Sequence, residues 1–169
     1  MEPRADAGSF RDPTSRVFLL DDRVLRALDD DAAEDLRLAL ASGFFGREVA
    51  AGRMIATSEP TEPDGNAGLV EAGSHWHTVV EHPRLALWSY PYEWTFSMLQ
   101  DAALLQLELH QSALAEGLSC KDATPYNIQF DGPRPLFIDA GSFERYRDGE
   151  PWYGYLQFCQ LYLFPLLFQ

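Results

Sequence analysis

The chain has 169 residues, 46% hydrophobic and 13% aromatic, a make-up that fits one folded domain or two small lobes and excludes a disordered chain. Its formal net charge is -13 and Lys121 is the only lysine, beside twelve arginines, so a nucleic acid is not an expected partner. Cys120 and Cys159 are too few for a disulfide scaffold or a zinc site, and the polar residues 1–14 hold no signal peptide; both observations point to a cytoplasmic setting.

Residues 1–14, with Pro3, Gly8 and Pro13, read as a flexible tail. Two strands are predicted at 17–20 (VFLL) and 24–28, paired as a hairpin around Asp21-Asp22. Asp29, Asp30 and Asp31 then open a helix with Leu36, Leu38 and Leu40, stopped by Gly43, their carboxylates suiting the positive end of the helix dipole. A second short helix is predicted over 44–51, with Gly52 as its stop. Residues 58–68, dense in proline and glycine, read as a loop. Strand-like runs follow at 75–80 and 85–89, broken by His82-Pro83. His75 and His77, with His82 nearby, have no third ligand residue close by and read as partly exposed strand residues rather than a metal site.

Residues 90–93 (YPYE) look like a linker, in which Tyr90, Tyr92 and Trp94 read as aromatic packing; stacking on a base or sugar is the alternative. The strongest helix is predicted over 94–115, its apolar positions Phe96, Leu99, Ala103, Leu107 and Leu114 closed by Gly117. A hairpin is expected at 128–130 and 136–138, turned by Asp131-Gly132-Pro133. The last stretch, 152–168, is apolar nearly all round and contains Gln157, Gln160 and Pro165. It reads as a packed helix rather than a membrane span, covered by a downstream domain or a partner. The domain division expected from this pass is 1–14 as tail, 15–90 as an α/β region, and 91–169 as a helical half that carries the chemistry.

That chemistry lies just after the long helix. Lys121-Asp122-Ala123-Thr124-Pro125-Tyr126-Asn127 is followed, twelve residues beyond Asn127, by Asp139-Ala140-Gly141 at the end of an apolar strand. The predicted hairpin brings Asp139 back beside Asp122 and Asn127. Two carboxylates and an amide oxygen at a strand end suit Mg²⁺, a hard cation that shares its oxygen ligands with substrate phosphates. Cys120, beside Lys121, is weighed as a thiol of lowered pKa without an evident base partner. Ser142 and Glu144 read as organising the turn.

The order of these motifs resembles protein kinases and small-molecule phosphotransferases, whose catalytic loop reads Asp-x-x-Pro-x-Asn and is followed by a hairpin and an Asp-x-Gly. The resemblance is best over 90–145. It implies an α+β, protein-kinase-like two-lobed fold with a reduced N-lobe and a truncated C-lobe. It also implies that Asp122 is the catalytic residue orienting or deprotonating an acceptor, and that Asn127 and Asp139 bind metal. Lys121 and Thr124 become the candidates for binding a phosphate cofactor, ATP with Mg²⁺. Cys120-Lys121 stands where those proteins carry His-Arg, and Thr124 where many have a lysine. The N-terminal half has no glycine-rich phosphate loop and no lysine, leaving Arg47 or Arg53 as substitutes.

The strings SFRDP, SYPYEW, KDATPYNIQF, PLFIDAGSFE and GEPW also resemble the N-terminal region of bacterial SAM-dependent methyltransferase-type proteins, some of them nodulation-related. That resemblance implies a methyltransferase domain downstream, because no glycine-rich SAM loop follows a first strand here. The expected function is therefore a kinase-like segment of such a protein, binding a small-molecule or nucleotide ligand without methylating by itself. The alternatives are an active small-molecule phosphotransferase and a pseudokinase-like scaffold.

Overall fold

The computed structural model describes residues 4–60, 69 and 75–168; most of the loop expected over 58–68 lies outside the described residues. The chain divides into two compact units, Met1–Asp35 with Ala56–Arg84, and Leu36–Ile55 with Leu85–Gln169. The 15–90 region expected from the sequence is divided between the two units.

The first unit is a four-stranded antiparallel sheet in the order β1-β2-β3-β4: β1 Arg4–Ala5, β2 Ser15–Leu20, β3 Arg23–Leu28 and β4 Thr78–Pro83. Arg4 and Ala5 pair with Leu19 and Phe18, so the described part of 1–14 is a strand and a 3-10 turn at Ala7–Arg11. The β2–β3 turn is made by Asp21 and Asp22, with Asp21 at φ 52, a left-handed conformation that aspartate tolerates better than most residues. Leu20, Leu25, Ala27, Leu69 and Val79 form the core of this unit, against which Phe18 and Trp76 pack. His82 and Pro83 belong to β4 and do not interrupt it, because His82 is buried and pairs with Val24 in the ladder. The strand expected at 85–89 does not form. Leu87 and Trp88 are exposed there, and the backbone N–H and C=O of Ser89 are met by the side-chain amide of Gln129.

Helix α1, Asp30–Ala41, runs from the first unit into the second, where α2, Gly43–Ala50, follows it. Within the second unit, Glu48 on α2 is fully buried; it accepts from Arg53 Nε at 2.7 Å and from Ser112 Oγ at 2.8 Å. Arg47 bonds Glu116 at 2.8 Å and Ser112 at 3.1 Å, and its Nε lies 3.6 Å from Glu48. Helix α3, Phe96–Leu114, is the long helix of the sequence reading. Thr95 caps it by accepting from Met98 N, and Gly117 at φ 74 leads the chain out of it. After α3 come β5, Leu118–Cys120, then the hairpin β6, Ile128–Asp131, and β7, Arg134–Phe137, and finally β8, Phe143–Arg145, which pairs with β5. Asp131 already pairs with Arg134, so the hairpin turn is the two residues Gly132 and Pro133, with Gly132 at φ 59. Phe44, Phe137 and Phe143 pack ring on ring at 4.9 and 5.5 Å in the core of this unit.

The C-terminal stretch begins as helix only at Tyr155: α4, Tyr155–Phe158, a π-helical turn, Cys159–Leu163, and α5, Phe164–Leu167. It is buried along one side only. Phe158, Cys159 and Tyr162 face inward, whereas Tyr155, Leu156, Leu167 and Phe168 are exposed. Among the described residues no helix is long and apolar enough to cross a membrane.

Candidate functional site on the catalytic-type loop

The predicted site residues all lie in the second unit, on the segments that β5 and β8 flank. β5 leads into Lys121-Asp122, a 3-10 turn at Pro125–Asn127 feeds β6, and β7 returns to Asp139, from which a 3-10 turn at Ala140–Ser142 leads into β8. The hairpin therefore acts as the sequence reading required. Ile138 N donates to Asn127 O at 2.8 Å, which sets Asp139 next to the first loop. Lys121 N donates to Ser142 O at 2.8 Å, continuing the β5–β8 pairing.

One hydrogen-bonded series joins Asp122, Asn127 and Asp139. Asn127 Nδ2 donates to the carbonyl of Asp122 at 3.5 Å and to Ser142 Oγ at 3.3 Å. Ser142 Oγ in turn donates to Asp139 Oδ2 at 2.6 Å, and Ser142 N to Asp139 O at 3.0 Å. With its nitrogen committed twice, Asn127 presents Oδ1 as its remaining polar atom, an acceptor with ligand capacity. Asp122 and Asp139 are half-buried, and the Oδ1 atom of each is closed off from solvent. The nearby donors are hard oxygens, the kind Mg²⁺ takes. No group of three or more His, Cys, Asp or Glu that could hold a metal occurs among the described residues, so any ion here would share its shell with phosphate or water.

Lys121 and Thr124 sit on the same loop, half-buried; the carbonyl of Thr124 accepts from Asn127 N at 3.1 Å. Cys120 behaves in the opposite way to a reactive thiol. It is fully buried, and burial, opposed by hydrogen bonds from the Gln106 amide and to the Asp122 carbonyl, pushes it up to about 12. Arg47 and Arg53 belong to the second unit, where they are bound to Glu116 and Glu48. The first unit's sheet carries the acidic pair Asp21-Asp22 at its β2–β3 turn. His77 lies 3.0 Å from Asp30 and His82 bonds Thr57 at 3.1 Å, as scattered partners rather than as a cluster.

Several residues that hold the loop escaped the sequence reading. Trp152 Nε1 donates to Cys120 O at 2.6 Å, and its ring stacks on His110 at 4.2 Å. His110 Nδ1 accepts from Cys120 N at 3.3 Å, and burial lowers its pKa. Gln157 Oε1 accepts from Ala123 N at 2.9 Å. Gly154 lies so close to the loop that an added Cβ would stand 2.9 Å from Ala123 Cβ. The available signal was Gln157, one of two glutamines inside a largely apolar run.

No protein-family model matches the chain. Nodulation protein NoeA of Rhizobium meliloti (strain 1021) is 42% identical over 167 residues, covering 98% of this chain and 33% of that protein. The chain thus spans about a third of the length of the curated relative it matches. Among solved structures, vaccinia related kinase 3 superimposes with a TM-score of 0.53 at 11% identity, over 86% of this chain and 49% of that one. The PknI kinase domain of Mycobacterium tuberculosis gives a TM-score of 0.44 at 14% identity, over 82% of this chain and 58% of that one. The fold is accordingly α+β and protein-kinase-like, an assignment that rests on the first of these structures together with the element order above.

Proposed function

We propose that this segment binds a metal–phosphate ligand, Mg²⁺ with ATP or a similar phosphate, as the kinase-like part of a larger transferase. The supporting observation is the bonded series Asp122 O–Asn127–Ser142–Asp139, which holds two carboxylate residues and one amide in a single arrangement. In this reading Asn127 Oδ1 and the Asp139 carboxylate hold the ion, whose charge offsets that of the phosphates. Lys121 and Thr124 contact phosphate oxygens, and Asp122 faces the acceptor. Methyl transfer, inferred from the sequence resemblance, is assigned to other parts of the larger protein, because this segment carries no glycine-rich SAM loop.

A thermal-melt titration with Mg²⁺-ATP tests this, with metal-free ATP and SAM as controls. Stabilisation is expected with Mg²⁺-ATP alone, lost in Asp139→Asn and kept in Asp122→Ala. The absence of a shift in folded protein removes the proposal, whereas nucleotide turnover abolished by Asp122→Ala turns it into a phosphotransferase. A scaffold reading draws on a different observation, the exposed Tyr155, Leu156, Leu167 and Phe168 of the C-terminal stretch. It requires that no nucleotide binds and that substituting these residues by serine weakens association with the rest of the larger protein.

A further inference from the structure

Of the three aromatic residues at 90–94, only Trp94 packs inward. Its ring meets Phe130 at 5.1 Å, and its Nε1 donates to Ser89 Oγ at 2.9 Å. Tyr90 and Tyr92 are 44% and 76% exposed, yet their rings lie parallel, 4° apart in plane and 5.4 Å between centroids. Stacking covers one face of each ring with the other, which leaves an outer ring face of the pair to solvent.

This pair is held in place rather than left on a loose loop. The side-chain amide of Gln129, on β6, bonds both the N–H and the C=O of Ser89 at 2.9 Å. Glu93 Oε2 accepts from Tyr90 N at 2.7 Å, and Glu93 N donates to Tyr90 O at 2.8 Å, closing the 3-10 turn Pro91–Glu93. Pro91 between the two tyrosines fixes φ at their link. β6 begins directly after the Pro125–Asn127 turn, so the pair is anchored to the same strand as the candidate site. Large apolar side chains that are ordered and still exposed mark a surface that binds something.

Charge narrows what that is. The face of an aromatic ring is its negative side. Glu93, exposed and bonded to the backbone of Tyr90, sets a full negative charge beside the pair. From 85 to 120 the chain has no lysine or arginine, and its net charge is -13. An anion is disfavoured here, and a neutral apolar group gains nothing from the carboxylate, whereas a cation gains from both rings and charge. A small metal ion keeps its water shell, because rings offer it no oxygen ligands. An ammonium carrying alkyl groups is weakly hydrated and lays its C–H groups on the ring face, the match that aromatic sites for such cations use.

We propose that the Tyr90–Tyr92 pair and Glu93 form a binding site for a small alkylated ammonium ion, a trimethylammonium group of the choline kind. The site stands on its own and does not depend on the metal–phosphate reading above.

The test is an amide NMR titration with choline chloride at matched ionic strength, without Mg²⁺ or nucleotide. The control is dimethylbutanol, in which carbon replaces the charged nitrogen. Saturable shifts of the Tyr90, Tyr92 and Glu93 amides are expected with choline, and binding about fivefold or more weaker with the alcohol. Tyr92→Phe should keep the choline affinity, and Tyr92→Leu, which keeps apolar area but no ring, should lower it about threefold or more. Glu93→Gln, which can still accept from Tyr90 N, should lower it about twofold. Equal binding of the alcohol overturns the proposal, as does an unchanged choline affinity in Tyr92→Leu or a pair that takes adenosine and not choline. Adherence to phosphatidylcholine vesicles without binding of free choline overturns it too. Should the variants not fold, the comparison of choline with the alcohol on the native chain decides. No Mg²⁺-ATP takes part, so a failure here is separate from a failure of ligand binding at Asp139.

Discussion

The two units use their polar side chains differently. In the first, Arg23 clasps Glu81 with two bonds, at 3.0 and 2.7 Å, and so joins one strand to its neighbour in the sheet. In the second, Asn127, Ser142, Trp152 and Gln157 bond to backbone or side-chain atoms of a loop, holding it to a second loop and to the residues that lead into a helix. The first pattern stabilises an ordinary sheet surface, while the second fixes the geometry of the candidate site. The phosphate chemistry proposed here thus rests wholly on the second unit, since the first offers an acidic turn and no lysine.

Substitutions can break or sharpen that contrast. The largest effect is expected from Phe143→Ala, which empties a fully buried site between Phe44 and Phe137. It should cost about 3–5 kcal/mol in urea unfolding. Gly154→Ala comes next, because its Cβ would meet Trp152 Nε1 at 2.7 Å as well as Ala123. About 1–3 kcal/mol is expected, and a neutral result would mean that the loop does not depend on this close approach.

Two groups of the second unit contribute opposite arms to the pH dependence. His110 is held neutral by burial, so stability is complete above the unfolded value of 6.5 and falls as pH drops below it. Cys120 has the opposite sign. Its folded value is raised from 9.0 to about 12, so between those values the unfolded chain loses the proton first. Stability then declines as pH rises, by up to ~1.4 kcal/mol per pH unit. Denaturant titrations at pH 5, 8 and 10 check both arms, and Cys120→Ala should flatten the alkaline one.

Ser142→Ala removes the bond to Asp139 and the acceptor for Asn127. It is expected to cost about 1 kcal/mol and to abolish any Mg²⁺-ATP stabilisation, a loss out of proportion to its effect on folding. Arg23→Ala should cost less, up to about 1 kcal/mol, and leave Mg²⁺-ATP stabilisation intact. Equal effects of the two on ligand stabilisation would erase the distinction between the units.

Local pattern made much of this fold readable. The hairpin at Asp21-Asp22, the helix over 96–114 and the β6–β7 hairpin each announce themselves by apolar spacing and turn residues. The bringing together of Asp122, Asn127 and Asp139 was legible because one short hairpin joins them. What stayed hidden depends on distant partners. β5 and β8 are three residues each, too short for alternation to register, and they exist by pairing with one another. Residues 85–89 have strand-like composition, but among the described residues no strand pairs with them, and the side chain of Gln129 meets the Ser89 backbone instead. The supports Trp152, His110 and Gln157 touch the loop from positions that no spacing rule links to it.

The pairing of β5 with β8 has a consequence for how the site opens. Lys121 N on Ser142 O, Ser142 N on Asp139 O, and Ile138 N on Asn127 O form a short ladder that crosses both loops. None of these bonds belongs to a long helix that could fray independently, so breaking one loosens the grip on the next. Amide hydrogen exchange should register the loop pair as a single opening event, with these amides sharing one protection factor and one denaturant dependence.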